Sequence, residues 1–117
     1  MVSDLVRRYM SVVYGNEDIN DLEDVLHENL IFNGPLFNCD SASAYIKALS
    51  DDPPKDFNYQ LTNSFTAGDI VILEYNFTKK DIIVPMTQLF RIKNNKITEI
   101  ELYFDPTPFI IGDQLSK

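Results

Sequence analysis

The spacing of apolar residues changes along the chain from a helical period to the two-residue period of a strand. The helical period is clearest near the amino terminus, at Val2, Leu5, Val6, Tyr9, Met10, Val12 and Val13. It predicts an amphipathic helix over residues 2–14. The same spacing predicts a second helix over residues 18–27 and a short third helix over residues 41–49, which ends before two consecutive prolines.

The two-residue period begins at Phe57 and predicts four strands. They cover residues 57–66, 70–78, 82–92 and 96–104, with turn-forming residues between them. A short additional strand is predicted over residues 30–33. Strands that follow one another through tight turns form an antiparallel sheet, and the helices that precede them must cover one of its faces. The sequence therefore predicts an α+β fold, with a sheet packed on three N-terminal helices.

Length, charge and cysteine content limit the classes of function. The 117 residues correspond to one domain, which we place at residues 1–106, followed by a tail at residues 107–117. The formal net charge of −8 disfavours nucleic acid and anionic membranes as partners. The sequence lacks an apolar run typical of a signal peptide or a membrane span, and Cys39 is its only cysteine. We therefore expect a cytoplasmic protein, and we predict neither a metal site nor a cofactor.

Gln88 is the first residue whose position indicates a binding site. Every second residue of the strand over residues 82–92 shares one face, and the more apolar face carries Ile82, Val84, Met86, Gln88, Phe90 and Ile92. The opposite face carries Arg91, so we expect the helices to cover the face with Gln88. An amide buried there without a partner would cost about 1–3 kcal/mol. Gln88 therefore either joins two elements by hydrogen bonds or meets the polar group of a ligand.

Tyr9 is the second such residue, because it lies at the centre of the apolar face of the first helix. A buried tyrosine hydroxyl generally needs a hydrogen-bond partner, and a donor inside an apolar cavity can stabilise an oxyanion. Simple packing in the core is the other interpretation. His27 is expected at the flank of the second helix, exposed to solvent, and Asp105 at the end of the last strand, where a capping role is the simpler one.

Five segments of the sequence together resemble the nuclear transport factor 2-like superfamily, in its SnoaL-like and ketosteroid-isomerase-like branch. They are residues 22–35, 65–71, 86–92, 95–100 and 103–106. The resemblance covers nearly all of the chain before the tail. It implies a cystatin-like cone, in which a curved antiparallel sheet wraps three helices around an apolar pocket, and it implies a homodimer.

The isomerase branch also implies roles for particular residues. Its tyrosine donor on the first helix falls on Tyr9, and its protonated aspartate donor falls on Gln88, whose amide can still donate. Its general base, an aspartate before a proline, falls on Gly34 and is missing. Because a positioned base contributes about 10²–10⁴ in rate, whether the chain is an enzyme stays open. His27 and Asp105 are the replacements that the sequence offers.

The residues and the resemblance together predict a pocket for a small, partly hydrophobic molecule. Tyr9 and Gln88 would orient the oxygen of this ligand, and the wall would be formed by Phe32, Met86, Phe90, Ile100 and Phe104. Any reaction would be an isomerisation, cyclisation or dehydration at an enolisable carbonyl. The alternative is a non-catalytic dimeric adaptor with a filled interior. The outward strand faces predict the homodimer interface, with Ile83, Leu89, Ile97 and Tyr103.

Overall fold

The computed structural model describes residues 2–15, 17–52 and 57–109, and it has the predicted α+β fold. Its helical elements are α1 (Val2–Tyr14), a short 3₁₀ helix (Ile19–Asp24) and α2 (Ala42–Asp51). Its strands are β1 (Leu26–Asn33), β2 (Asn38–Cys39), β3 (Phe57–Ala67), β4 (Ile70–Lys79), β5 (Ile82–Lys93) and β6 (Lys96–Tyr103). Within the described ranges, no helix has the length and apolar character needed to cross a membrane.

The six strands form one sheet in the order β2-β1-β6-β5-β4-β3. Strands β3 to β6 pair with their sequence neighbours in antiparallel fashion, as predicted, whereas β1 pairs with β6 in parallel. The inner face of the sheet packs against the helices, and Leu30, Phe90 and Ile100 are among its fully buried residues. Phe109, in the predicted tail, also packs on this core, because its ring lies against Phe77 and Phe104.

The second predicted helix is only partly present. Asp18 caps a 3₁₀ helix that ends at Asp24, and its side chain accepts a hydrogen bond from the Asn20 amide. The chain then enters β1 at Leu26, four residues before the predicted start of the strand. The Ile97 amide donates to the Val25 carbonyl at 2.8 Å, so pairing with β6 stabilises an extended backbone where the apolar spacing favoured a helix. His27 consequently lies on a strand.

Tight turns join the four long strands at the predicted places. Asn94 and Asn95 both have positive φ angles, 53° and 62°, which the sequence predicted for the last hairpin. Lys80 in the preceding turn also has a positive φ of 53°. Gly68, with φ of 60°, lies in the turn between β3 and β4, where the left-handed conformation favours glycine.

Two irregularities in strand pairing change which side chains face inward. A register shift between Arg91 and Ile92 places Ile97 opposite Ile92, and Ile97 is fully buried. The prediction that Ile97 lies on the outer face is therefore wrong, because simple alternation does not hold across a bulge. A second shift, after Leu61, makes Phe65 pair with Ile72 on the outer face.

We predict that core truncation is far more destabilising than truncation at the sheet edge. Ile100→Ala should lower the free energy of unfolding by about 2–5 kcal/mol, because Ile100 is fully buried between β1 and β5. Leu61→Ala on the edge strand β3 is the control, with an expected loss below about 1 kcal/mol. Urea unfolding followed by circular dichroism measures both. Equal losses would contradict the assignment of Ile100 to the core.

Candidate functional site

A cavity of about 250 Å³ lies between the two α-helices and the inner face of the sheet. Its wall is mainly aromatic, and the polar side chains among its lining residues are those of four tyrosines and Gln88. Among the described residues, no Asp, Glu, His, Lys, Arg or Cys side chain lines it. The lining residues of this partly open, apolar cavity therefore carry uncharged hydrogen-bonding groups.

The polar groups of the cavity form one connected network, which we call the tyrosine–glutamine relay: Tyr14, Tyr75, Gln88, Tyr9 and Tyr45. The Tyr75 hydroxyl donates to Gln88 Oε1 at 2.8 Å, and Gln88 Nε2 donates to the Tyr9 hydroxyl oxygen at 3.4 Å. At one end, the hydroxyl oxygens of Tyr9 and Tyr45 are 2.5 Å apart. At the other, those of Tyr14 and Tyr75 are 3.4 Å apart. Gln88 thus joins the two halves of the network.

Four separate elements bring these side chains together. Tyr9 and Tyr14 project from α1, and Tyr45 belongs to the buried stripe of α2. Tyr75 and Gln88 lie on the neighbouring strands β4 and β5, where Gln88 pairs with Leu73 and Tyr75 pairs with Met86. In this stretch, successive side chains of β4 and β5 alternate between the two faces of the sheet without a bulge, so Tyr75 and Gln88 both face inward. The relay therefore forms only when the helices dock on the sheet.

Burial dominates the acid–base properties of the relay. Desolvation raises the pKa of Tyr14 to about 12 and raises the pKa of Tyr9, Tyr45 and Tyr75 well above the ordinary tyrosine range. Gln88, which is 3% exposed, is uncharged at any pH. The hydroxyls of the cavity therefore keep their protons at neutral pH, and they act as neutral hydrogen-bond donors and acceptors.

Comparison with known proteins assigns the family. The family model described as the SnoaL-like domain matches residues 6–100, which is most of the chain. The chain belongs to the SnoaL-like domain family. This confirms the resemblance inferred from the sequence segments. Nothing among the curated proteins matches the chain.

Solved structures confirm that the SnoaL-like domain has the nuclear transport factor 2-like fold. An NTF2-like protein of unknown function from Cytophaga hutchinsonii has 24% identity and a TM-score of 0.80, covering 94% of this chain and 95% of its own. An NTF2-like protein from Mesorhizobium loti has 18% identity and a TM-score of 0.76, covering 89% and 90%. An LEH-like epoxide hydrolase from M. tuberculosis has 15% identity and a TM-score of 0.77, covering 95% and 87%. At these identities the similarity shows the fold alone.

Most of the residues predicted to form the site lie at the cavity of the SnoaL-like domain. Those that line it are Tyr9, Phe32, Met86, Gln88 and Phe104. Phe90 and Ile100 do not line it, although the sequence placed them in the wall. They pair with each other across β5 and β6 in the packed core, and the Tyr9 ring meets the Phe90 ring edge-on at 5.3 Å. Helix α1 thus covers the part of the inner face where these two residues lie.

Neither candidate replacement for the general base reaches the cavity. His27 does not line it, and its Nδ1 accepts a hydrogen bond from the Asn29 amide at 3.0 Å. Asp105 is exposed, and its carboxylate accepts from the Thr107 amide at 3.0 Å. Hydrogen bonds from Thr107 hold the pKa of Asp105 below its usual value, which makes the carboxylate a weaker base.

Gly34, the residue onto which the sequence resemblance maps the base of the isomerase branch, lies at the cavity wall. Its amide donates to the Phe37 carbonyl at 3.1 Å and closes the turn between β1 and β2. A Cβ atom at this position would lie 3.1 Å from Cε1 of Phe32, so a side chain would displace that ring. In this SnoaL-like domain the space at Gly34 is partly taken by an aromatic side chain.

Three members of the relay were not predicted as site residues from the sequence: Tyr14, Tyr45 and Tyr75. Tyr75 shares the inward face of β4 with Val71 and Leu73, so strand alternation would have found it. Tyr45 follows Ala42 and precedes Ile46 at helical spacing in α2. Tyr14 gave no such signal, because it lies outside the apolar face of α1.

No metal centre is indicated in the described part of the domain. Within residues 2–15, 17–52 and 57–109, no three His, Cys, Asp or Glu side chains are grouped so that they could hold a metal ion. Cys39 lies on the short strand β2, where burial raises the pKa of its thiol and keeps it protonated at neutral pH.

We predict that the stability of the domain is lost at high pH. Burial raises the pKa of Tyr14 from 10.0, the value expected in the unfolded chain, to about 12 in the folded domain. As the pH rises, the unfolded state therefore loses this proton first. The tyrosine contribution is therefore fully present below about pH 10 and decreases as the pH rises toward 12. Thermal unfolding between pH 7 and 12 measures this, with phenolate absorbance to follow ionisation. Ionisation of all tyrosines near pH 10 without unfolding would contradict the buried relay.

Proposed function

We propose that this SnoaL-like domain binds a neutral, largely apolar small molecule whose oxygen meets the corner formed by Tyr9, Tyr45 and Gln88. The observation that supports the proposal most is the uncharged wall around an open volume of about 250 Å³. A charged ligand would lose its hydration there without gaining a countercharge. A neutral ligand buries apolar surface and needs only one satisfied polar group.

The volume also limits the size of the ligand. An apolar cavity of about 150 Å³ accepts benzene. By proportion, about 250 Å³ accepts about ten non-hydrogen atoms, the size of one ring with a substituent or of two small fused rings. A four-ring steroid would extend well beyond this space. Indanone, a fused bicyclic ketone, is a suitable probe of the cavity.

The wall supports binding better than proton transfer. The tyrosine hydroxyls could polarise a carbonyl in an isomerisation, cyclisation or dehydration. No carboxylate or imidazole of the described residues lines the cavity to remove a proton, and Gly34 replaces the usual base. The open volume also favours ligand binding over the alternative of a non-catalytic adaptor with a filled interior.

We also propose a homodimer that packs through the outer face of the sheet. Ile83 is 68% exposed and Tyr103 is 55% exposed, and Leu89 lies half-buried on the same face. Exposed apolar residues on one face of a sheet are typical of an interface between subunits. Ile97 is buried and takes no part in this surface.

We predict that indanone binds the cavity and that filling the cavity prevents binding. Leu102→Trp enlarges a half-buried lining residue and should reduce the affinity at least tenfold. Gln88→Leu should reduce the affinity about threefold to tenfold, because the relay loses its central amide. Titration followed by NMR measures the affinities.

Gln60→Trp, on the exposed edge strand β3 and outside the cavity wall, is the matched control and should bind like the unmodified domain. Unchanged indanone affinity in both Leu102→Trp and Gln88→Leu would show that the ligand binds elsewhere. Circular dichroism of each variant checks that the fold is retained.

We predict a dimer at micromolar concentration and its dissociation by a charge on the outer face. Ile83→Glu should give the monomer mass in sedimentation, because the side chain is 68% exposed and would carry a charge into the interface. Ser50→Glu on the exposed surface of α2 serves as the control for added charge. A monomeric unmodified domain would contradict the proposed interface.

A further inference from the structure

The hydrogen bonds of the tyrosine–glutamine relay have a defined direction. An O–H···O bond is usually about 2.7–2.8 Å long, whereas an N–H···O bond is longer. The contact of 2.8 Å from Tyr75 therefore suits the amide oxygen of Gln88, and the longer contact of 3.4 Å to Tyr9 fits a weak bond from the amide nitrogen. The amide thus accepts on the β4 side and donates on the α1 side.

This orientation of the amide determines the bonds on either side of it. Because the Tyr75 proton goes to Gln88, the Tyr75 oxygen can only accept from Tyr14. Because the Tyr9 oxygen already accepts from Gln88, its own proton is free to go to Tyr45. Bonds that all run in one direction polarise one another and strengthen the network.

The relay ends with a surplus hydroxyl proton, and the second N–H of the Gln88 amide likewise has no acceptor among the relay residues. If the Tyr9 hydroxyl donates to Tyr45, the Tyr45 proton has no acceptor within the relay. If the Tyr45 hydroxyl donates to Tyr9 instead, the Tyr9 proton has no acceptor within the relay. Both tyrosines line the cavity, so we infer that in either case the unused hydroxyl is a donor that a ligand can satisfy. The uniform direction favours Tyr45 as the terminal residue.

We propose that Gln88 orients a one-way relay that ends in a hydroxyl proton at Tyr45, so that the cavity selects ligands by an accepting oxygen and rejects those whose only polar group is a donor. This inference rests on the proposed ligand-binding function and adds the hydrogen-bonding character of the ligand. The expected class is a neutral ketone, aldehyde, ether or epoxide of bicyclic size. An N–H compound of the same shape would leave the Tyr45 proton unsatisfied.

The raised pKa values of the tyrosines make this selection independent of pH in the neutral range. Tyr9, Tyr14, Tyr45 and Tyr75 all keep their protons well above pH 9 because of burial. No other ionisable side chain of the described residues lines the cavity. The direction of the relay therefore stays the same between about pH 6 and pH 9.

Three probes of nearly equal shape test the proposal in the unmodified domain: indanone accepts a hydrogen bond, indole donates one, and indane does neither. Indanone should bind at least threefold more tightly than indane, and indole no more tightly than indane. Tighter binding of indole than of indanone, or equal binding of all three, would overturn the relay proposal and leave the proposed function intact. No binding of any probe would remove the proposed function and this inference with it.

Gln88→Glu tests the role of the amide. Once ionised, the carboxylate only accepts, so both Tyr75 and Tyr9 donate to it and Tyr45 donates to Tyr9. The surplus proton is then used up. The preference for indanone over indane should therefore disappear as the new carboxyl titrates, which NMR follows directly.

Gln60→Glu, the same substitution on the exposed strand β3, should keep the preference for indanone over indane at every pH at which Gln88→Glu is measured. A preference that persists in Gln88→Glu after the carboxyl has ionised would overturn the role assigned to Gln88.

Discussion

The structure depends on one requirement: an amide buried among aromatic rings must find hydrogen-bond partners. Gln88 is the only polar non-tyrosine side chain at the wall of the cavity, within the described residues, and it is satisfied by tyrosines from a strand and a helix. Leaving it unsatisfied would cost about 1–3 kcal/mol. The bond from Gln88 to Tyr9 links α1 to the sheet, and the contact between the Tyr9 and Tyr45 hydroxyls adds α2, so the stability of the domain and the polarity of the cavity have a common origin.

The fold provides the setting for this network. The hairpins of β3 to β6 give a continuous inner face, and the parallel pairing of β1 with β6 extends it beneath α2. Helix α1 covers Phe90 but leaves Met86 and Leu102 at an open volume. The result is a partly open, apolar cavity with no charged side chain among its described lining residues. The sequence resemblance places the base of the isomerase branch at Gly34, which here lies beside the Phe32 ring.

Periodicity alone predicted much of this arrangement. It gave α1, α2, the four long strands and the inward position of Gln88, because these elements follow a single period without interruption. It failed at residues 18–27, where pairing of β1 with the distant strand β6 overrides local spacing, and at Ile97, where a bulge in the β5–β6 hairpin breaks the alternation. It also could not distinguish Met86, which lines the cavity, from Phe90, which is covered by Tyr9. The position of the docked helices determines which part of an apolar sheet face stays open. The alternation of apolar and polar residues along a strand does not predict that position.

A structure of the domain with indanone, at a resolution that defines the carbonyl, tests the central claim most directly. The account predicts the ketone inside the cavity, with its oxygen about 2.7 Å from the Tyr45 hydroxyl and the Gln88 amide between Tyr75 and Tyr9. A ketone seated on the outer face of the sheet, or a Gln88 amide turned toward solvent, would contradict it.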